Sequence, residues 1–376
     1  MGEISVKTGN NARNGGKNSL NRLIRCVCGK KIGPDPRNFN QRVSLGRNDL
    51  LIRTFLSEFL PEEDKREVYS KLEKMNQRSE KTYRVEYVKN KKEKPYRKSL
   101  NIYSRKKNSP VLLHIDYVPK HPNTGGLRLD FNPQHMTKVK IDELVSWIND
   151  NLGEIFYRLL VRAWVTRIDV ALDIYNCKLD DYLWGLKNAG KSTYYDTENG
   201  LPGVRIGSNR SLLHIHCYEK VNARRDRKLI LKDRAKLINI NLDEHKRFLR
   251  VEARYKPGAK PTSKKKNALR LSQLLEMKNP FKRFQVYSSC LGEELLTSGY
   301  LATLPKEPSV IALKASLRQQ LGRSCLTALL TRHRTVLFDE SELWNQWPRC
   351  VEQLSSIYSI ASVYGVLKGV ANRNDD

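Results

Sequence analysis

Three carboxylates sit in the middle of alternating apolar stretches, where a charge is costly. Asp169 lies in Val165-Thr166-Arg167-Ile168-Asp169-Val170-Ala171-Leu172-Asp173, Glu252 in Leu249-Arg250-Val251-Glu252-Ala253-Arg254, and Asp130 in Leu127-Arg128-Leu129-Asp130-Phe131. Side chains alternate across an extended chain. Ile168, Val170 and Leu172 therefore share one face, and Arg167, Asp169 and Asp173 the other. Leu249, Val251 and Ala253 oppose Arg250, Glu252 and Arg254 in the same way. A mid-strand carboxylate among apolar neighbours loses hydration free energy unless something pairs with it. Two kinds of partner fit: a guanidinium such as Arg167 or Arg254, or a hard divalent cation (Mg²⁺ or Mn²⁺), which takes oxygen ligands. Three strands that each carry a central acid suggest one convergent anionic site, in which Asp169 is the first candidate should an ion be bound. Asp173 is a poor co-ligand of Asp169, since four residues of regular strand span about 13 Å.

A fourth strand, His214-Ile215-His216-Cys217-Tyr218-Glu219-Lys220, puts His214, His216, Tyr218 and Lys220 on one face. A tyrosine oxygen can attack a phosphodiester and keep the 5′ phosphate as a covalent ester, which conserves the bond energy for rejoining. The phenol's ordinary pKa near 10 must be offset by a nearby cation, and Lys220 and the arginines are the candidates. Against this, the chain has 17 tyrosines, and most strand tyrosines are packing residues. His214-Ile215-His216 adds a second motif, because two imidazoles two residues apart on a strand can face one ion.

The elements that must hold these residues are legible from periodicity. Residues 1 to 48 are rich in Asn, Gly, Arg and Lys and read as a basic flexible arm for phosphate contact. Residues 49 to 80 read as helical, from Leu51, Phe55 and Phe59 and then Val68, Leu72 and Met75, with a fresh start at Pro61-Glu62-Glu63-Asp64. From Thr82 to Pro133 alternation predicts strands at Tyr83 to Val88, Val111 to Val118 and Leu127 to Phe131. Val139 to Leu160 carries a helical stripe of Ile141, Leu144, Val145, Ile148, Leu152 and Ile155. Three more strands follow at Val165 to Ile174, Leu212 to Tyr218 and Phe248 to Tyr255, with a short helix expected over Leu179 to Leu186. Ala223 to Lys236 holds seven basic and two acidic residues, either a solvated helical face or a phosphate-tracking arm that includes Arg224 and Arg225. Beyond about Pro257 the strand patterns stop, and residues 258 to 376 read as a helical region. The fold class expected is α+β: a central, mostly antiparallel sheet domain over 81 to 257 with helical additions at the N- and C-terminal ends.

Composition narrows the partners. Lys and Arg number 69 against 40 Asp and Glu, a net charge of +29. Such an excess attracts polyanions, and nucleic acid is the commonest, ahead of a ribosomal surface or an anionic membrane. Seven cysteines lack the paired spacing of a zinc site and read as reduced thiols. The amino-terminal residues lack a signal-peptide pattern and no run of about 18 apolar residues occurs, so a cytoplasmic protein with no membrane partner is expected.

In order and spacing, four segments resemble the replication initiation factor family, the trans-acting rolling-circle initiators of small plasmids and their phage relatives. They are Leu127-Arg-Leu-Asp-Phe-Asn-Pro133, Thr166-Arg-Ile-Asp-Val-Ala-Leu-Asp173, Arg205-Ile-Gly-Ser-Asn-Arg-Ser211 with His216-Cys-Tyr-Glu-Lys220, and Leu249-Arg-Val-Glu-Ala-Arg254. The resemblance covers about residues 83 to 257. It implies a metal-dependent endonuclease that nicks and rejoins one strand of single-stranded or hairpin origin DNA through a 5′-phosphotyrosine. Tyr218 would be the nucleophile, Lys220 and His216 would assist it, and Asp169, Glu252 and Asp130 would hold the ion. Arg167, Gly207, Arg210, Arg224, Arg225, Arg250 and Arg254 would meet the DNA, with Gly207 letting backbone approach closely. Bacterial cytoplasm, a host helicase, a host DNA polymerase and a homodimer follow by the same resemblance. The family does not ordinarily carry histidines at 214 and 216, which leaves His216 to hold the scissile phosphate. Two other classes remain open: a non-catalytic nucleic-acid-binding regulator whose acids pair with arginines, and a His-hydrophobe-His relaxase or transposase.

Overall fold

A strand whose apolar residues alternate needs a partner on each edge and a cover on one face. The chain supplies both with one large sheet. The computed structural model describes residues 4–7, 42–54, 62–75, 82–89, 94–106, 109–121, 124–133, 136–197, 200–222, 247–257 and 269–371. The strands are β1 (Ile4–Lys7), β2 (Arg42–Thr54), β3 (Tyr83–Val88), β4 (Tyr96–Ser104), β5 (Val111–Pro119), β6 (Leu127–Phe131) and β7 (Trp164–Tyr175). They continue with β8 (Tyr182–Leu186), β9 (Ser192–Asp196), β10 (Pro202–Ile206), β11 (Leu213–Asn222), β12 (Arg247–Tyr255), β13 (Phe284–Ser288) and β14 (Arg334–Thr335). The large sheet runs β3-β4-β5-β6-β2-β7-β12-β11-β10-β9, with β1 paired to β2. Its ladders are antiparallel. With the helices, this is an α+β fold, as expected.

One face of the sheet is apolar and covered. Ile168, Val170, Leu172 and Ile174 of β7 are buried with Leu249, Val251 and Ala253 of β12 and Ile215 and Cys217 of β11. Over them lie α1 (Glu62–Lys74), α2 (Lys138–Leu152) and α3 (Ile155–Val161), which contribute Leu72, Leu144, Ile148, Phe156 and Leu160 to the same core. Helix α2 begins where Thr137 accepts a hydrogen bond from the Lys140 amide, and it ends at Gly153, whose φ of 82° suits glycine. The opposite face carries the polar side chains.

Several boundaries differ from the sequence expectation. Residues 50–54, expected to be helical, and the last part of the basic arm are instead the long strand β2, whereas Glu62–Lys74 is helical as expected, and Phe55 and Phe59 lie outside the described residues. Strand β2 pairs with β7 from Val43↔Ile174 to Arg53↔Trp164, and with β6 from Leu50↔Phe131 to Thr54↔Leu127. A ladder on both edges outweighs the local helical pattern over residues 50–54. The sheet unit therefore takes in residues well before 81. Likewise Leu179–Leu186 is no helix: a 3₁₀ turn at Leu179–Asp181 leads into β8. Strands also recur after 257, since β13 pairs with β8 and β14 in a second, three-stranded sheet, with Trp184 stacked on Phe284 at 5.8 Å. Strands β4, β9 and β10 were not foreseen.

The remaining carboxy-terminal elements are helical, as expected: α4 (Cys290–Thr297), α5 (Val310–Ser316), α6 (Arg323–His333), α7 (Glu340–Trp344), α8 (Trp347–Glu352) and α9 (Ser356–Ala371). Helix α9 packs on α2 and α3, so this region shares the core of the sheet. Cys177, Cys217, Cys325 and Cys350 are free thiols, whereas Cys290 is disulfide-bonded, against the expectation of reduced thiols throughout. No helix among the described residues is long and apolar enough to cross a membrane.

Burial sets the expected cost of truncation within α2. Leu144 is fully buried and Val139 is 64% exposed. Leu144→Ala should cost about 2–5 kcal/mol of unfolding free energy, and Val139→Ala no more than about 0.5 kcal/mol. Urea denaturation followed by circular dichroism measures both.

Candidate active site

The polar face gains its order from strand register. One row across the sheet runs Asp173 (β7), Arg250 (β12), Tyr218 (β11), Gly203 (β10) and Tyr195 (β9). The next runs Ala171, Glu252, His216, Arg205 and Thr193, and a third runs Asp169, Arg254 and His214. Residues up to 85 positions apart in the chain become lateral neighbours. Their side chains point away from the helices because the intervening residues fill the core.

At the centre of the first row is a buried ion pair. Arg250 donates from Nε to Asp173 Oδ1 at 2.6 Å and from Nη2 to Oδ2 at 2.8 Å. Burial alone would lower the guanidinium's pKa, but Asp173 more than offsets it and the pKa is raised. Asp169 lies between two arginines, accepting from Arg254 Nε at 3.0 Å with Arg167 Nε at 3.2 Å. Arg254 also donates from Nη2 to Glu252 Oε1 at 2.8 Å. The other Glu252 oxygen, Oε2, accepts from the Tyr218 hydroxyl at 3.1 Å.

Protonation follows from these contacts. Burial pushes the Tyr218 phenol well above its ordinary value, and the adjacent Glu252 carboxylate adds to the rise. Burial would also raise Glu252, but Arg254, His216 and Arg250 overcome it and hold the carboxyl below its usual range. In the resting site a neutral phenol thus faces an ionised carboxylate. Lys220 Nζ lies 5.5 Å from the centre of the Tyr218 ring. The β11 register shifts between Glu219 and Val221, leaving Lys220 as the extra residue of a bulge. Bulges re-aim a side chain, and here the re-aimed group is a cation beside the phenol.

Burial lowers His214 to about 3 and His216 to about 4. Both are neutral at pH 7, with ring centres 5.3 Å apart. His214 is fully buried against Gly207, whose φ is 101°. A Cβ at 207 would meet the His214 Cβ at 3.0 Å, so the glycine is required by this packing as well as by its turn. Arg210 is exposed on the turn that follows. Arg224 and Arg225 lie outside the described residues.

The expected metal ligands do not fit a single ion. Guanidinium groups already lie on both Asp169 oxygens and on Glu252 Oε1, and the Tyr218 hydroxyl takes Glu252 Oε2. Asp130 lies on β6, which β2 separates from β7, so its Cα is roughly 10 Å or more from that of Asp169 at about 4.8 Å per strand. Burial raises the Asp130 carboxyl, and the charges nearest it are Arg167 and Arg128. The two histidines supply two donors where such ions hold three or four. Among the described residues no group of three or more His, Cys, Asp or Glu is placed to hold a metal.

Tyr218, Lys220, His216, Glu252, Asp169, Arg167, Arg250 and Arg254 are thus brought together on one face, whereas Asp130 and Arg210 lie apart. Sequence reasoning missed Tyr195, Gly203 and Arg205. Their hairpin was signalled by Asn199-Gly200 between Ser192-Thr193-Tyr194-Tyr195 and Gly203-Val204-Arg205-Ile206, a common turn pair flanked by strand-forming residues.

Two outcomes are expected from these contacts. Asp173→Ala leaves the Arg250 cation buried without its partner and should cost about 3–5 kcal/mol in urea denaturation. The histidines set an acid limit. In the unfolded chain they protonate near pH 6.5, and in the folded protein only near 4 and 3. The unfolded state therefore binds more protons across that window, and stability falls as pH drops from 6.5 towards 4. His214→Gln with His216→Gln should flatten that fall, read as the midpoint of thermal unfolding at each pH.

No family model and no curated protein match this chain. Among solved structures it is similar to one titled "Structure of Rolling Circle Replication Initiator Protein from Geobacillus stearothermophilus", with 15% identity and a TM-score of 0.30. The match covers 58% of this chain and 76% of that one. At that score the likeness bears on neither the activity nor the residues here.

Proposed function

We propose that this chain is a DNA strand-nicking and joining transesterase that initiates rolling-circle replication, with Tyr218 as nucleophile. The observation that carries the reading is the hydrogen bond from the Tyr218 hydroxyl to Glu252 at 3.1 Å, inside a ring of Arg250, Arg254 and Lys220. A packing tyrosine needs neither a buried carboxylate acceptor nor flanking cations. The net charge of +29 supplies the attraction for DNA, and the motif order resembles that of the initiators named above.

In the reaction, Tyr218 Oη attacks the scissile phosphorus as Glu252 takes the phenolic proton. The P–O3′ bond breaks, and the departing 3′ oxygen takes up a proton, which Glu252 returns. The products are a 5′-phosphotyrosine and a free 3′-OH that a polymerase can extend. Lys220 and Arg254 offset the phosphate charge, and such preorganised cations are the largest contribution to many enzymes. His216, neutral and one row away, faces the same phosphate. Attack by the 3′-OH on the phosphotyrosine reverses the path and rejoins the strand. Among the described residues no ligand set fits the divalent ion expected by resemblance, so no step is routed through one.

The ion pairs Asp169–Arg254 and Asp173–Arg250 favour a second reading, a sheet that binds DNA without cutting it. A covalent trap separates the two. Randomised single-stranded oligonucleotides labelled at the 3′ end are incubated with the full chain in Mg²⁺ buffer and run under denaturing conditions. Wild type should retain label on the protein, Tyr218→Phe should not, and Glu252→Gln should form adduct roughly 10²–10⁴-fold more slowly, the usual contribution of a general base. Binding without any adduct from wild type would leave only the non-catalytic reading.

A further inference from the structure

We propose that Tyr195 is a second strand-transfer nucleophile, with His216 as its proton acceptor. The inference rests on the nicking role given to Tyr218 above. Gly203 is the register partner of both tyrosines, Tyr218 on one side and Tyr195 on the other. The Tyr195 ring lies across that glycine: a Cβ at 203 would fall 2.7 Å from Cζ and 3.0 Å from the hydroxyl oxygen. The Tyr195 hydroxyl is thus carried over β10 to within about one strand spacing, roughly 4.8 Å, of the Tyr218 strand. Any side chain at 203 would exclude it.

The hydroxyl also has an acceptor. It lies 3.3 Å from His216 Nδ1, with the two rings edge-on at 6.0 Å. Nδ1 accepts in the tautomer that carries the proton on Nε2, and Nε2 meets no hydrogen-bond partner among the described residues. The face therefore holds two phenol–base pairs on adjacent strands: Tyr218 with Glu252 and Tyr195 with His216. Tyr194, the neighbouring residue in the chain, points the other way and packs with the core.

Two such pairs suit a reaction that must cut twice before it releases product. After the first cleavage Tyr218 is esterified and cannot attack again. Tyr195 Oη then attacks a second scissile phosphorus, giving its proton to His216. That P–O3′ bond breaks, and the leaving 3′ oxygen is protonated from His216. The new 3′-OH attacks the phosphotyrosine at Tyr218, forming a P–O3′ bond and expelling the Tyr218 oxygen, which regains a proton through Glu252. One strand closes, and the enzyme remains esterified through Tyr195. No oxidant or further co-reactant is needed.

The test uses an oligonucleotide recovered from the covalent trap, supplied with two copies of its cleavage site. Joined product and protein adduct are measured together, and the adducted peptide is located by mass spectrometry. Wild type should give joined product and adducts at both Tyr218 and Tyr195. Tyr195→Phe should lower the ratio of joined product to first-cleavage adduct at least tenfold. Gly203→Val, which displaces the Tyr195 ring, should do the same, with thermal unfolding as the check that both variants fold. An unchanged ratio in Tyr195→Phe, with wild type forming adduct at Tyr218 alone, overturns this inference and leaves the nicking role standing. Absence of any wild-type adduct overturns both, and is read in the trap before the two-site substrate is used.

Discussion

The buried pair of Asp173 and Arg250 is the interaction on which the polar face of the sheet depends. Both groups are almost fully withdrawn from water, and each offsets the desolvation of the other. The pair bridges β7 and β12 in the same row as Tyr218, so it fixes the register of the strands that present the site. A slip of one residue would turn every charge into the apolar core and every core residue outwards. The cost of misplacing Asp169, Asp173, Arg250, Glu252 and Arg254 together is therefore a strong selector of one alignment.

From that alignment the local electrostatics follow. Three arginines meet three acids: Arg250 pairs with Asp173, Arg254 serves both Asp169 and Glu252, and Arg167 adds a second cation to Asp169. Glu252 thereby stays ionised although buried, and it is left with one oxygen for the phenol of Tyr218. The same crowd of cations keeps the neighbouring imidazoles neutral, adding to the effect of burial. Charge on this face is balanced by fixed guanidinium groups within the protein, where the acid-bearing strands had suggested a bound ion. In the proposed reaction Glu252 is accordingly the proton acceptor, where a metal ligand had been expected.

Departures from regular strand geometry fall beside the site. The bulge at Lys220 turns a cation towards the phenol, Gly203 clears room for the Tyr195 ring, and Gly207 closes the β10–β11 turn against His214. Each is a place where local backbone preference yields to what the neighbouring strand presents. Glycine and bulges are how a sheet makes that room.

Much of this was legible in the sequence because alternation is a local property. The pattern Thr166-Arg167-Ile168-Asp169 assigns its acids to the face away from the core without reference to any other strand, and so do those around Tyr218 and Glu252. The α+β class, the α2 stripe and the basic charge excess are local or additive in the same sense. Which strands lie side by side is not local. Only tertiary structure inserted β2 between β6 and β7, thereby carrying Asp130 away from Asp169, and only it set Glu252 rather than Asp169 beside Tyr218. The helical pattern that begins at Leu50 misled for the same reason: hydrogen bonds to two distant strands decided the conformation of residues 50–54. Likewise Tyr195 was one tyrosine among 17 until the β9–β10 hairpin laid its ring over Gly203. The sequence determined which residues face outwards, through a period of two along each strand. The fold decided which of them meet, because pairing between strands depends on energies summed over contacts far apart in the chain.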